Sequence, residues 1–211
     1  MKIGILGPQG GWHVTALQSA LAQRGIAAPC FPITQLTARL AARPYLAATG
    51  EPLDEYDILF VRTIPGGSLE QIIFRMDALH RLENVGVRFV NSPTVIERTV
   101  DKYYTSTLLE DAGLPTPRAV VTERFDEALV AFHELGGDVV VKPLFGSEGR
   151  GMVRVSDPDI AHRVFRALEL CRYVYYLQEF VPHGCEDIRV FVVGGRAVAA
   201  MVRRGESWKT N

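Results

Sequence analysis

Strand-length apolar runs alternate with segments of helical period as far as residue 90, and the alternation then breaks off. No other feature of the chain restricts its fold as much. Residues 2–6 are a short β-rich run closed by Gly7-Pro8-Gln9-Gly10-Gly11, residues 12–24 read as a helix stopped by Gly25, and residues 27–31 are a second strand. Residues 57–62, Asp-Ile-Leu-Phe-Val-Arg, are nearly continuous in apolar character, the pattern of a strand covered on both faces. Ser68 can cap the next helix, in which Leu69, Ile72, Ile73, Met76 and Leu79 recur at helical spacing until Gly86 stops it. Residues 87–90 form a fourth strand. This βαβα order predicts a small parallel sheet flanked by helices.

Beyond Asn91 the pattern differs. Ser92-Pro93 opens a helix with a capping hydroxyl and a proline at the first helical position. A further helix over 101–112 ends at Gly113, and Leu114-Pro115-Thr116-Pro117 forces extended backbone. Strands are predicted at 118–121, 138–142, 151–155, 173–181, 188–193 and 197–203, with helices at 124–135 and after Asp157-Pro158. Hairpins here replace βαβ crossovers, so this half reads as antiparallel α+β. The boundary falls within 92–98. The organisation expected is an N-terminal Rossmann-like domain over 1–95, a central subdomain over 96–176 and the start of a third over 177–211.

Composition narrows the function by exclusion. A net charge of −1 gives no reason to expect a nucleic-acid or acidic-membrane partner. No apolar run reaches the roughly 20 residues that span a bilayer, and the N-terminus is broken too soon by glycine for a secretory signal. Three cysteines, Cys30, Cys171 and Cys185, lack any paired spacing and read as free thiols of a cytoplasmic protein. The five histidines show no metal-ligand spacing, and Tyr173, Tyr175 and Tyr176 read as strand packing.

The chemistry is concentrated in Val139-Val140-Val141-Lys142-Pro143-Leu144-Phe145-Gly146-Ser147-Glu148-Gly149-Arg150-Gly151. A buried strand delivers a lysine at its end, a glycine-rich loop follows, and a second strand returns. Glycines let backbone N–H groups approach phosphate oxygens, and the lysine supplies a fixed charge. The plainer alternative is a β-hairpin with a solvated lysine. A Walker loop is excluded, because there the lysine follows the glycines and a helix follows the lysine. Nor is Gly7-Pro8-Gln9-Gly10-Gly11 a dinucleotide fingerprint: its spacing is wrong, and no acidic residue ends the second strand.

Taken in order, these segments resemble the ATP-grasp superfamily, in particular its RimK-like branch. Lys142 and its glycine loop are similar to the phosphate-covering hairpin, and Asp101-Lys102-Tyr103 to the segment whose lysine also reaches the phosphates. Leu177-Gln178-Glu179-Phe180-Val181 resembles the hinge strand whose backbone meets adenine. Glu186-Asp187-Ile188-Arg189-Val190-Phe191-Val192-Val193-Gly194 resembles the branch's D-I-R…V-V-G signature, and Arg203-Arg204 followed by Lys209-Thr210-Asn211 its closing motif. Arg62-Thr63-Ile64-Pro65-Gly66-Gly67 fits the preceding substrate domain. The fold implied is an α/β Rossmann-like domain followed by an incomplete α+β ATP-grasp domain.

The resemblance implies a carboxylate–amine ligase that passes through an acyl phosphate, with ATP and Mg²⁺ as cofactors. It places Lys102, Lys142, Gly146, Ser147, Gly149, Gly151, Glu179, Phe180, Val181, Asp187, Lys209 and Asn211 at the nucleotide, and Arg189 and Arg203 at the reacting groups. Asp187 would accept from the ribose hydroxyls, and strand alternation allows at most one of Arg203 and Arg204 to serve the site. Lys142, ending a buried strand, keeps an ordinary pKa only with an anion to pair with it. The family's metal-binding Asp, Glu and Asn lie on later strands than this sequence reaches. A truncated chain, binding Mg-ATP weakly and turning nothing over, is the expectation. The expected partners are a small-molecule carboxylate acceptor or a protein C-terminus and an amino acid, glutamate first; homo-oligomerisation is left open. The alternatives are a non-catalytic ATP-binding module and a ligase using another amine.

Overall fold

The computed structural model describes residues 1–146 and 149–210. It divides into two compact units, Met1–Arg98 and Thr99–Asn211.

The first unit is built on β1 (Ile3–Leu6), α1 (Trp12–Ala22) and β2 (Cys30–Phe31). The second strand is shorter than its apolar run, because Pro29 has no N–H to give to a ladder; its carbonyl accepts from Ile5 instead, at 2.9 Å. Residues 32–56, where no strand or helix period is visible, hold a small antiparallel sheet of β3 (Leu36–Ala38), β4 (Leu46–Ala48) and β5 (Glu51–Pro52). Then come β6 (Ile58–Val61), α2 (Leu69–Asn84), β7 (Arg88–Val90) and α3 (Pro93–Val100). The main sheet runs β2-β1-β6-β7 with every pairing parallel. Ile3 and Ile5 pack on one face with Val14 of α1, while Leu6 and Leu59 pack on the other with Met76, Leu79 and Leu82 of α2. Helices on both faces explain why β1 and β6 lack apolar–polar alternation. Ser68 forms a full capping box with Gln71, as its position before the helical run predicts.

The second unit starts with α4 (Lys102–Asp111), capped by the Asp101 carboxylate, which accepts from the Tyr104 N–H at 3.0 Å. It continues through β8 (Ala119–Thr122), α5 (Phe125–Glu134), β9 (Val139–Lys142), β10 (Val153–Val155), α6 (Pro158–Leu170) and β11 (Tyr175–Glu179). These four strands form an antiparallel sheet in the order β10-β9-β11-β8. One face carries Val139, Val141, Tyr175 and Leu177 onto Phe132 of α5 and Phe165 of α6. The opposite face, by strand alternation, presents Val140, Lys142 and Gln178. Tyr175 and Tyr176 are buried, but Tyr173 is exposed. Its N–H closes the end of α6 on Leu168 O, and Arg172 beside it takes a left-handed φ of 53°, so the strand starts two residues later than its apolar run. The unit ends in a two-stranded ribbon, β12 (Glu186–Val193) and β13 (Arg196–Arg204), turned at Gly194-Gly195 with φ of 57° and 75°. Parallel and antiparallel sheets thus follow one another in the expected order.

Among the described residues, no helix is long and apolar enough to cross a membrane.

Candidate functional site

The outer face of the antiparallel sheet and the ribbon border a cavity of about 530 Å³ within the second unit. Lys142, Gly149, Glu179, Phe180 and Val181 line it from the sheet and its hairpin; Asp187, Arg189, Arg203 and Lys209 line it from the ribbon and the segment after it. Lys102, Gly146 and Gly151 are not in the lining. Ser147 and Asn211 lie outside the described residues.

Lys102 still reaches the hairpin. Its backbone N–H donates to Leu144 O at 3.2 Å, and its Nζ donates to Gly146 O at 3.0 Å and Leu144 O at 3.4 Å. Burial pushes its pKa below the ordinary lysine value, partly offset by the Asp101 carboxylate. Lys142 donates its Nζ to Gln178 Oε1 on the neighbouring strand. Its pKa is also lowered, first by burial and then by the positive charge of Lys102. Two partly desolvated ammonium groups are therefore brought to one hairpin, and their hydrogen-bond acceptors among the described residues are carbonyl oxygens. Gly146, Gly149 and Gly151 take φ of 131°, 67° and 74°, conformations that favour glycine.

The hinge is more committed than the sequence implies. The N–H of Glu179 donates to Arg118 O and that of Phe180 to Asp138 O, both at 2.9 Å, so neither can also donate to a base. The Val181 N–H makes no backbone hydrogen bond among the described residues and is the uncommitted donor of the three. The Glu179 carboxylate accepts from the Arg118 N–H at 2.9 Å and from its Nε at 2.7 Å, and these two bonds hold its pKa below the usual carboxylate range. Arg154 completes the arrangement. Its guanidinium lies 3.4 Å from the Phe180 ring centroid while pairing in bidentate fashion with Asp138, at 2.8 and 2.6 Å.

On the ribbon, Asp187 stands opposite Arg203 in register. Its carboxylate accepts from Arg203 Nε at 2.7 Å and Nη2 at 2.5 Å, and from the Thr210 hydroxyl. These bonds depress its pKa to about 2, with Arg203 the larger cause. Ribose contact at Asp187 would therefore have to share oxygens already engaged. Arg203 lines the cavity, whereas Arg204 is 79% exposed and pairs with Glu186, as strand alternation requires. Arg189 makes no hydrogen bond among the described residues, but its charge helps to lower the Asp187 pKa.

A depressed carboxylate pKa stabilises the fold above the unfolded value of 3.8, and that contribution is lost as pH falls through about 2. Asp187→Asn should therefore be less stable than the wild type at neutral pH. The difference should shrink to nothing between pH 3.8 and about 2, as read by urea denaturation across pH.

Arg118, Arg154 and Trp208 take part in the site without any sequence signal marking them, and Gln178 and Thr210, which lie inside the hinge and closing motifs, do so in roles that those motifs do not specify. The partners of Lys142 and Asp138 depend on strand register, which a single sequence does not disclose.

A RimK-like ATP-grasp domain model matches residues 99–211. The chain belongs to the RimK-like ATP-grasp family. A tetrahydromethanopterin:alpha-L-glutamate ligase from Methanosarcina acetivorans is 35% identical over 99% of this chain and 69% of its own length. An alpha-aminoadipate–LysW ligase, LysX, from Sulfurisphaera tokodaii is 33% identical over 61% of this chain and 47% of its own. Among solved structures, a RimK domain ATP-grasp protein from Sphaerobacter thermophilus superposes with a TM-score of 0.78 at 20% identity, covering 96% of this chain and 73% of that one. The ATP-grasp ligase PsnB, complexed with a minimal precursor, Mg and ADP, gives a TM-score of 0.68 at 21% identity, covering 95% and 72%. This RimK-like chain is thus a member of a family of ATP-dependent ligases, with the fold that its sequence resemblance implies.

Proposed function

We propose that this chain binds ATP through Lys102, Lys142 and the hairpin glycines and serves amide formation between a carboxylate and the amine of glutamate. The observation that carries this reading is the convergence of two lysines on one glycine hairpin: Lys102 bonds to Leu144 O and Gly146 O, and Lys142 lines a cavity also lined by Arg189, Arg203 and Lys209. Such a cluster is costly empty and favourable around a polyphosphate. In the reaction proposed, an oxygen of the acceptor carboxylate takes the γ-phosphoryl group and ADP leaves. The amine nitrogen then displaces phosphate from the acyl carbon and loses a proton. The lysines would hold the phosphates in line, and Arg189 and Arg203 would neutralise charge on the transferring group.

The two LysX and tetrahydromethanopterin ligase names support an amino-acid-adding ligase, and the latter supports glutamate and a small-molecule acceptor. Mg²⁺ is the ion the family implies, and PsnB was crystallised with it. The residues described here do not fit it: none form a group of three or more His, Cys, Asp or Glu able to hold a metal. Glu179, Glu186 and Asp187 at the cavity are each already paired with an arginine. No step above is routed through the ion. The pairing of those three carboxylates with arginines favours a second reading, a nucleotide-binding module without turnover.

Titration calorimetry of ATP into the 211-residue chain tests the binding; heat indistinguishable from dilution would remove the whole proposal. ADP release measured across a panel of amino acids tests the amine, and no stimulation by glutamate would discard it. ATP binding with no release under any combination would leave the module reading. Binding should also take up protons. An anion restores the lysine pKa values towards 10.5, so in the alkaline window below that value affinity falls as pH rises. Calorimetry in buffers of differing ionisation enthalpy measures this uptake, and a buffer-independent heat would contradict it.

A further inference from the structure

Along β9 the cavity has two chemically different ends. Phe180 is tied to Asp138, just before the first residue of the strand, and Lys142 is its last. Four residues at about 3.3 Å each separate them by roughly 13 Å, the reach from a base through a sugar to phosphates. Val140, Met152 and Pro117 add apolar lining to the cavity. One large aromatic in that lining has no role in the scheme above. Trp208 stands edge-on to Phe180, with ring centroids 6.3 Å apart at 87°. Arg154, fixed by Asp138, already covers one face of the same Phe180 ring. Phe180 is thus held by its neighbours, and Trp208, with the Lys209 ammonium 5.4 Å from its ring centroid, is a second aromatic surface lining this end of the cavity.

We propose that Trp208 is the stacking wall for the purine base of the nucleotide, and that it sets the preference of the site for purine over pyrimidine triphosphates. The inference rests on the ATP reading above and deepens it. Indole offers the widest π-face of any side chain, and stacking grows with the overlap a base can offer, so a purine gains more than a pyrimidine. The alternative is that Trp208 only packs the segment after β13 against the hinge.

Two ligands separate these roles. Tripolyphosphate uses the cationic end alone, whereas ATP uses both. Trp208→Ala should weaken ATP binding by roughly tenfold to a hundredfold and leave tripolyphosphate affinity unchanged, while Trp208→Phe should recover most of the loss. Equal loss for both ligands would show a packing role and overturn the proposal, as would no loss for either. A second readout uses fluorescence. Trp12 and Trp208 are the only tryptophans, and Trp12 is 77% exposed in the first unit. In Trp12→Phe protein the remaining emission should be quenched by ATP and much less by UTP at equal occupancy; equal quenching by both would refute the purine preference. Wild-type protein that binds neither ATP nor tripolyphosphate would overturn the nucleotide reading itself, whereas ATP binding insensitive to Trp208 overturns this inference alone.

Discussion

Lys142→Met is expected to weaken ATP binding about a hundredfold or more while raising the thermal midpoint of the free protein. Both effects come from the same burial. The ammonium is desolvated at the end of β9, repelled by Lys102, and hydrogen-bonded among the described residues to the Gln178 side-chain oxygen alone. Without nucleotide that arrangement costs stability, and methionine fills nearly the same volume without the charge. Replacing a poorly compensated charge in this way stabilises by something of the order of 1 kcal/mol, or a few degrees in Tm. With nucleotide the balance reverses, because the charge then faces phosphate oxygens in a poorly hydrated site. Calorimetry and a thermal melt on one preparation read both halves. Retained affinity together with a lowered Tm would show that Lys142 serves the fold and not the nucleotide.

Phe165→Ala should cost about 3–5 kcal/mol and abolish ATP binding through loss of the sheet that carries the site. Phe165 is fully buried on α6, its ring meets Tyr175 at 5.8 Å, and its carbonyl accepts from the Tyr175 hydroxyl at 3.1 Å. The strands it supports place Val139 and Val141 inward and Val140 and Lys142 outward, so core and site share one backbone. A loss of this size takes up much of the roughly 5–15 kcal/mol that stabilises an ordinary domain. Phe191→Ala is the matched control: this ring is 63% exposed on the ribbon and should change the urea midpoint little. Equal destabilisation by the two substitutions would contradict the packing described here.

What could be read from the sequence, and what could not, divides along physical lines. The Asp57–Arg62 run, the Ser68 cap and the lysine before a glycine loop are local patterns, and each specifies its element through backbone chemistry within a few residues. The three-stranded sheet between Leu36 and Pro52 was invisible because its strands are two or three residues long and too short to show a period. The pairing of Lys142 with Gln178, and the diversion of the Glu179 and Phe180 amides into the sheet, depend on register between segments 36 to 61 residues apart. That Arg203 and Arg204 face opposite ways follows from alternation alone, and that much the sequence does state; that Arg203 is the one at the cavity needed coordinates. That the Asp187 oxygens are already engaged by Arg203 and Thr210 needed coordinates.

The double grip of Arg154 has a consequence for motion. One guanidinium fastens the strand returning from the glycine loop to the carboxylate before β9 and to the ring of Phe180. Fraying of that strand must therefore release the aromatic hinge in the same event. In amide exchange, the Val153–Val155 protons and the Phe180 N–H should share a single opening free energy and respond together to Asp138→Asn.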